Sequence, residues 1–388
     1  MFFSYSNTSE IIKLNLSEVK DIITLSKKNE IPEDLNIYNQ NVEQDQNFLE
    51  SVKSGRFLLS FVMSYTQTCE IPGITIAGAN SESMKYTPPA DAEYLHYGYC
   101  KTIDNIPMTP DGKPTPALLT KTALESASIP HLTINAGSKI TPQLPFIETG
   151  LSFGKNISVE PAMTDSEVSS AVEFGRIVGR NMASLTDCLV IGESIPGGTT
   201  TALAVLKAFD FDAKTSSSIP TNPIKLKNEV VDSAIKRIDS DHPYSVLAKV
   251  GDPMIAFVAG MLSSASAVSK VMLAGGTQMT AVLAFASKIG FNEENTAIGT
   301  TSYITNDQNA NFANLVKQIA DIPAISVNPK LNNSKHSGLK AFSEGFGKEG
   351  AGAGGSIISS MLKTGNDSEK FLNLAEKEYD RLSSLSKS

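Results

Sequence analysis

The chain has 388 residues, 41% of them hydrophobic, with 33 Lys and Arg against 41 Asp and Glu for a net charge of -8. That length can bury a sizeable core, and the acidic balance argues against general electrostatic attachment to nucleic acid or an anionic membrane, so any phosphate it binds must be held by local geometry. Cys69, Cys100 and Cys188 are too few and too far apart for a disulfide framework or a Cys-x-x-Cys metal pair, which suits a reducing cytoplasm.

The first residues, Met1 to Tyr5, lack a basic segment leading into an apolar stretch, so no signal peptide is expected. Residues 1–50 are rich in Asn, Ser, Glu and Asp and periodic only from Ile11 to Leu25, as a peripheral helical extension would be. From Phe57 onward, apolar strand candidates alternate with helical stretches: Phe57 to Ser64, Gly73 to Ala77, His131 to Ala136, Cys188 to Ile191, Val271 to Ala274, Thr296 to Tyr303 and Ala324 to Val327. This rhythm predicts an α/β fold with a mostly parallel sheet flanked by helices. Thr164 or Asp165 is a candidate cap for a helix through Ile177, and Thr277 for one that runs to Ile289 and stops at Gly290. Met254 to Ser269 is apolar, but its serines, Gly260 and the flanking Pro253 and Lys270 fit a buried helix better than a membrane span. Glu369 to Leu385 alternates Leu and Ala with charges, as a surface helix does.

The most informative stretch is Gly192-Glu193-Ser194-Ile195-Pro196-Gly197-Gly198-Thr199-Thr200, which joins the Cys188 strand to an amphipathic helix. Glycines at a strand's carboxyl end let the backbone approach a ligand, and the helix start favours negative charge, so the turn points to a phosphate-bearing molecule. It is not a Walker loop, because no Gly-Lys-Ser/Thr follows. Gly275-Gly276-Thr277 is predicted to face the same cleft. A second glycine-rich run, Gly345 to Ser356, carries Glu349 in its middle, where desolvation would raise its pKa towards that of a general base; a solvated acid on a flexible loop is the alternative. Glu193 reads equally as an acid stabilised by a helix start, and Lys249 either as a phosphate contact or as a cation serving a helix end. The four histidines have no metal-ligand spacing, no Gly-x-Ser-x-Gly elbow is present, and no Gly-x-Gly-x-x-Gly follows an early strand, so zinc, serine-hydrolase and dehydrogenase readings are weak.

Together these segments resemble the nicotinate-nucleotide:dimethylbenzimidazole phosphoribosyltransferase family, in particular its archaeal and cyanobacterial branch, over roughly residues 55–365. Gly192, Glu193, Gly197, Thr199 and Thr200 match its Gly-Glu-Met-Gly-Ile-Gly-Asn-Thr-Thr motif; Leu247, Lys249, Val250 and Gly251 match Leu-x-Lys-Val-Gly-Gly; Glu349, Gly350, Gly352 and Ala353 match Gly-Glu-Gly-x-Gly-Ala. Among the departures, Lys348 replaces the glycine before the acid, Ala274 stands where the bacterial enzymes have Asp, and Thr300 to Asp307 has no counterpart of their Ser-His-x-Ser-x-Glu segment.

The resemblance implies a homodimer. It also implies a small helical domain from both chain ends, residues 1–50 and 366–388, around a transferase domain at 51–365. The implied reaction moves the phosphoribosyl group of nicotinate mononucleotide to an aromatic base of benzimidazole or purine type for the lower loop of cobamides. Glu349 would be general base and Glu193 would stabilise the oxocarbenium charge. Gly197, Gly198, Thr199, Thr200, Lys249, Gly275, Gly350 and Gly352 would bind the nucleotide, with no cofactor or metal. A nucleotide sensor or carrier without turnover is the competing expectation.

Overall fold

The computed structural model describes residues 32–38, 41–75, 82–104, 107–109 and 111–385. Among these described residues eight strands form one sheet: β1 (Leu35–Ile37), β2 (Phe57–Met63), β3 (His131–Asn135), β4 (Ile147–Glu148), β5 (Cys188–Ser194), β6 (Lys270–Ala274), β7 (Thr296–Thr301) and β8 (Ala324–Val327). Their order is β1-β8-β7-β6-β5-β2-β3-β4, and every pairing is parallel except β1 with β8. The α/β expectation is thereby met.

Alternation of side chains along each strand feeds two cores, one on each face. Leu58, Val62, Leu189, Ile191, Val271, Leu273 and Ile298 face one cluster, while Leu59, Phe61, Val190, Met272, Ala274 and Ala297 face the other. The first face is covered by the helices Asp165–Ala183, Gly198–Ala208, Pro253–Ala265 and Thr277–Ile289; the second by Ala117–Ala127, Ala353–Thr364 and Ser368–Leu385. The 253–265 helix is buried in the first layer, as its apolar run predicts, and no helix among the described residues is long and apolar enough to cross a membrane.

Several expected boundaries shift for local reasons. Thr164 caps its helix with a reciprocal bond to Glu167, but Thr277 is the first residue of its helix and Gly276 holds the cap position. The run from Thr296 ends as a strand at Thr301 and turns into a short helix, Ser302–Thr305. Leu35–Ile37, expected within a helical extension, is an edge strand, while Ile11 to Leu25 and residues 76–77 of the expected Gly73 strand lie outside the described residues. The described Gly73 to Thr75 form no strand.

The chain goes outward from β2 through β3 and β4, then returns to place β5 on β2's other side and continues through β6, β7 and β8. The order therefore reverses between β2 and β5, and a crevice opens at the carboxyl ends of strands that diverge in this way. Glu193 and Ser194 are the last residues of β5, paired with Val62 and Met63.

Candidate active site

Three strand ends supply the floor. β5 ends in Glu193-Ser194, β6 runs into Gly275-Gly276, and β7 ends in Thr300-Thr301. The glycine-rich run from residue 345 comes back over them. Its last glycines, Gly352, Gly354 and Gly355, dock on the sheet where the strands leave no room for side chains. A Cβ added at Gly192 would sit 2.9 Å from the Gly352 Cα, and one at Gly355 only 2.4 Å from the Ala274 Cβ. Gly352 also has φ +72°, a backbone that favours glycine.

This close docking sets Glu349 at the end of β7. One carboxylate oxygen accepts from Thr301 N at 2.9 Å and Thr300 Oγ1 at 3.2 Å; the other accepts from Gly354 N at 3.0 Å and Gly350 N at 3.3 Å. Two of those donors belong to the start of the 353–364 helix and its preceding turn. Burial pushes the Glu349 carboxyl up to about 7, against these four hydrogen bonds, which favour its charged form. A group so poised can take or give a proton near neutral pH.

Glu193 is 2% exposed. Burial raises its carboxyl to about 8, and the charges of Glu349, Asp252 and Asp91 add to the rise. The two sequence-predicted acids therefore share one site. Asp252 and Asp91 were not singled out in the sequence. Asp252 caps the 253–265 helix through Ile255 N at 2.9 Å and accepts from Thr201 Oγ1 at 2.5 Å. Asp91, on the helix Thr87–Tyr97, accepts from Thr115 Oγ1 at 2.7 Å and Ser194 Oγ at 2.8 Å. Burial raises both to about 6. Asp252 had a legible signal, an Asp before a Pro at a helix start; a lone Asp91 had none. Among the described residues no group of three or more His, Cys, Asp or Glu could hold a metal.

The 197–200 turn opens the helix Gly198–Ala208, with Gly197 at φ +79° in the cap position. Its inner side is crowded: a Cβ at Gly197 would be 2.8 Å from the Cys69 Cβ, and one at Gly198 2.4 Å from Gln278 Nε2. The Thr199 carbonyl accepts from Thr215 Oγ1 at 2.9 Å, and Thr200 Oγ1 is buried without a partner. Gly275 lies beside Glu193, where an added Cβ would be 3.9 Å from Oε1. Gly350 directs its N–H to Glu349, as described. Lys249, in the last turn of the helix Pro243–Val250, pairs with Asp239 at 3.1 Å and makes no hydrogen bond or ion pair to either glutamate. Lys348, the residue that replaces a family glycine, is buried and paired with Asp307.

A family model described as phosphoribosyltransferase matches residues 131–303, an interval that holds β3 to β7 and Glu193 but stops short of Glu349. A UPF0284 protein of Archaeoglobus fulgidus is 45% identical over 341 residues, covering 88% of this chain and 98% of that protein. A UPF0284 protein of Sulfurisphaera tokodaii is 41% identical over 333 residues, covering 85% and 95%. Among solved structures, a nicotinate-nucleotide-dimethylbenzimidazole phosphoribosyltransferase from Thermus thermophilus matches with a TM-score of 0.58 at 16% identity, over 87% of this chain and 92% of that one. That last likeness is one of fold.

Proposed function

The chain belongs to the UPF0284 family, and from that premise we propose that it transfers the phosphoribosyl group of nicotinate mononucleotide to an aromatic nitrogen base of benzimidazole or purine type. The products are an α-riboside phosphate, as used in the lower loop of cobamides, and free nicotinate. The observation that carries this reading is the convergence of Glu349, held at the end of β7, with Glu193 at the end of β5 across β6, both buried and both with carboxyls raised towards neutrality by burial.

Nicotinate leaves with the electron pair of its bond to the anomeric carbon, which neutralises its own pyridinium charge, so its departure requires no acid. The unprotonated ring nitrogen of the incoming base forms the new bond to that carbon with its lone pair, and the base's other ring nitrogen loses its N–H proton to Glu349, which leaves the product base neutral. Positive charge grows on the ribose as the old bond breaks, and an ionised Glu193 stabilises it in a site with little water. The pyridinium nitrogen of the nucleotide, and then the charge that develops on its ribose, would favour ionisation of a glutamate set beside it, since an opposite charge nearby lowers a carboxyl's pKa.

Incubation with nicotinate mononucleotide and dimethylbenzimidazole or adenine, followed by chromatography and mass spectrometry, tests the reading. Release of nicotinate together with a new riboside phosphate is expected. Thermal stabilisation by the nucleotide with no nicotinate released would instead identify a sensor or carrier. The proposal includes a homodimer, which light scattering after size exclusion checks directly.

A further inference from the structure

Four donors hold the Glu349 carboxylate, and they respond differently when it takes up a proton. Thr301 N, Gly350 N and Gly354 N are backbone groups that can only donate. The fourth, Thr300 Oγ1, is a hydroxyl that both donates and accepts. It alone among the four can turn from giving a hydrogen to the carboxylate to receiving one from the carboxyl. Once it has turned, its own hydrogen needs a new acceptor, and Thr300 is fully buried.

Ser326 is placed to be that acceptor. Thr300 of β7 stands opposite Ser326 of β8 in the parallel register, and both are buried. Both project to the first face of the sheet: Ile298 and Ala324, two positions earlier, lie in its core, whereas Ile325 and Val327 lie in the other. Neighbouring strands run about 4.8 Å apart, so rotation of Ser326 about χ1 and of the Thr300 O–H about its C–O bond brings the two hydroxyls within hydrogen-bond reach. Ser326 Oγ has no partner among the described residues, and its register neighbour on the other side, Asn36 of β1, is exposed. An unpaired buried hydroxyl is destabilising; this one lies beside the single reversible partner of the acid. The charged groups around Glu349 are Glu193 of β5, Lys348 with its partner Asp307, and Lys227 of the helix Ile224–Ile235, which is close to both of those. None of them bonds to Ser326 Oγ.

We propose that Ser326 is a positioning residue for the general base: when Glu349 takes a proton on the oxygen that Thr300 serves, the carboxyl O–H donates to Thr300 Oγ1 and the Thr300 O–H swings over to donate to Ser326 Oγ. Its use in turnover rests on the transferase reading above. The proton concerned is the one taken from the incoming base; it stays on Glu349, and two hydrogen bonds rearrange behind it while no further proton moves. Removal of the Ser326 hydroxyl then penalises the protonated carboxyl alone, because all four bonds of the ionised form remain. The carboxyl should titrate at a lower pH.

Infrared difference titration of the full chain without substrate tests this, with the protonated-carboxyl band of Glu349 assigned by its loss in Glu349→Gln. Ser326→Ala should lower the midpoint by about 0.5–1 pH unit, the shift that one neutral hydrogen bond is worth. Ser326→Thr, which restores a hydroxyl, should return it to the wild-type value. In a Thr300→Val background, where the link is already cut, Ser326→Ala should shift it no further. A serine that acted only by making its surroundings polar would do the opposite: its loss would raise the midpoint, by disfavouring the ionised form, whether or not Thr300 is present. That outcome, or a midpoint that Ser326→Ala leaves unmoved, overturns the proposal. Ser326→Ala deletes an unpaired group, so its Tm should hold or rise, and the comparison with the Thr300→Val background decides the matter even where Ser326→Thr overpacks the core. With substrates, the ascending limb of kcat/KM should move down by the same amount. Because the midpoint is read without turnover, absence of nicotinate release leaves this inference intact, and an unmoved midpoint leaves the transferase reading intact.

Discussion

Glu349→Gln keeps the length of the side chain and removes the proton acceptor. The carboxylate accepts two donors on each oxygen, Thr300 Oγ1 and Thr301 N on one and Gly350 N and Gly354 N on the other. An amide has one oxygen and one NH2 group, so in either orientation two donors would face a donor, at a cost of about 1–3 kcal/mol for each buried group left unsatisfied. Against this, the amide carries no charge to desolvate and no longer repels Glu193. The two effects oppose, and the fold should survive with a modest change in stability. Turnover should fall by about 10²- to 10⁴-fold, the usual contribution of a positioned base, which is about 3–5 kcal/mol on the barrier.

The pH profile separates this from a merely structural loss. In the free enzyme Glu349 must be ionised to act, so kcat/KM for nicotinate release should rise with pH through about 7. The variant should lack that rise. Near-ultraviolet circular dichroism confirms the fold of the protein assayed. A variant that retains turnover within threefold of the wild type, or that keeps the same ascending limb, would remove Glu349 as the base.

Burial raises Asp91 and Asp252 to about 6, Glu349 to about 7 and Glu193 to about 8, from ordinary values of 3.8 and 4.5. These groups hold protons in the fold that the unfolded chain has released, so their contribution is complete below about pH 4 and is lost as pH rises through their folded values. The Tm of the ligand-free protein should decline between about pH 5 and 8, and Glu193→Gln should flatten the decline; an unchanged slope in that variant counts against the assignment. Asp252→Ala removes a helix cap and the partner of Thr201, and urea denaturation should show a loss of about 1–2 kcal/mol. Gly354→Ala would place a Cβ 2.2 Å from the Thr300 carbonyl carbon. It should cost about 1–3 kcal/mol by overpacking and should lower turnover too, because Gly354 N is one of the groups that hold Glu349; normal turnover would show that this anchor is dispensable.

The α/β class and the positions of β2, β3, β5, β6, β7 and β8 were legible in the apolar runs, and the turn after β5 was legible in its glycines. The limits were local. Periodicity could not extend β5 past Ile191, because Glu193 and Ser194 are polar and keep strand geometry only through their pairing with Val62 and Met63 of β2. β1 is three residues long, too short for any pattern to show. The run Gly352 to Ser356 reads as a loop before a helix at Ile357, yet the helix begins at Ala353, because these glycines serve contact with the sheet and not mobility. Asp91, Lys227 and Asp307 are unremarkable in sequence. Their partners Ser194, Thr215 and Lys348 lie 103, 12 and 41 positions away, and the longer separations close only through the tertiary fold.

The same packing explains why the cleft lacks an acid at position 274, where the resembling bacterial enzymes carry Asp. Ala274 faces the second core, with Gly352 and Gly355 pressed against it: an added Cβ would be 3.4 Å from the Ala274 Cβ at Gly352 and 2.4 Å at Gly355. A longer side chain at 274 would have to push the 353–364 helix off the strand ends. That helix supplies Gly354 N to Glu349, so filling this space would carry the carboxylate away from Thr301 and Glu193. Small residues on both sides of the contact and the location of the acid are therefore one requirement. In this chain the placement of Glu349 depends on what residues 192, 274, 352 and 355 leave out.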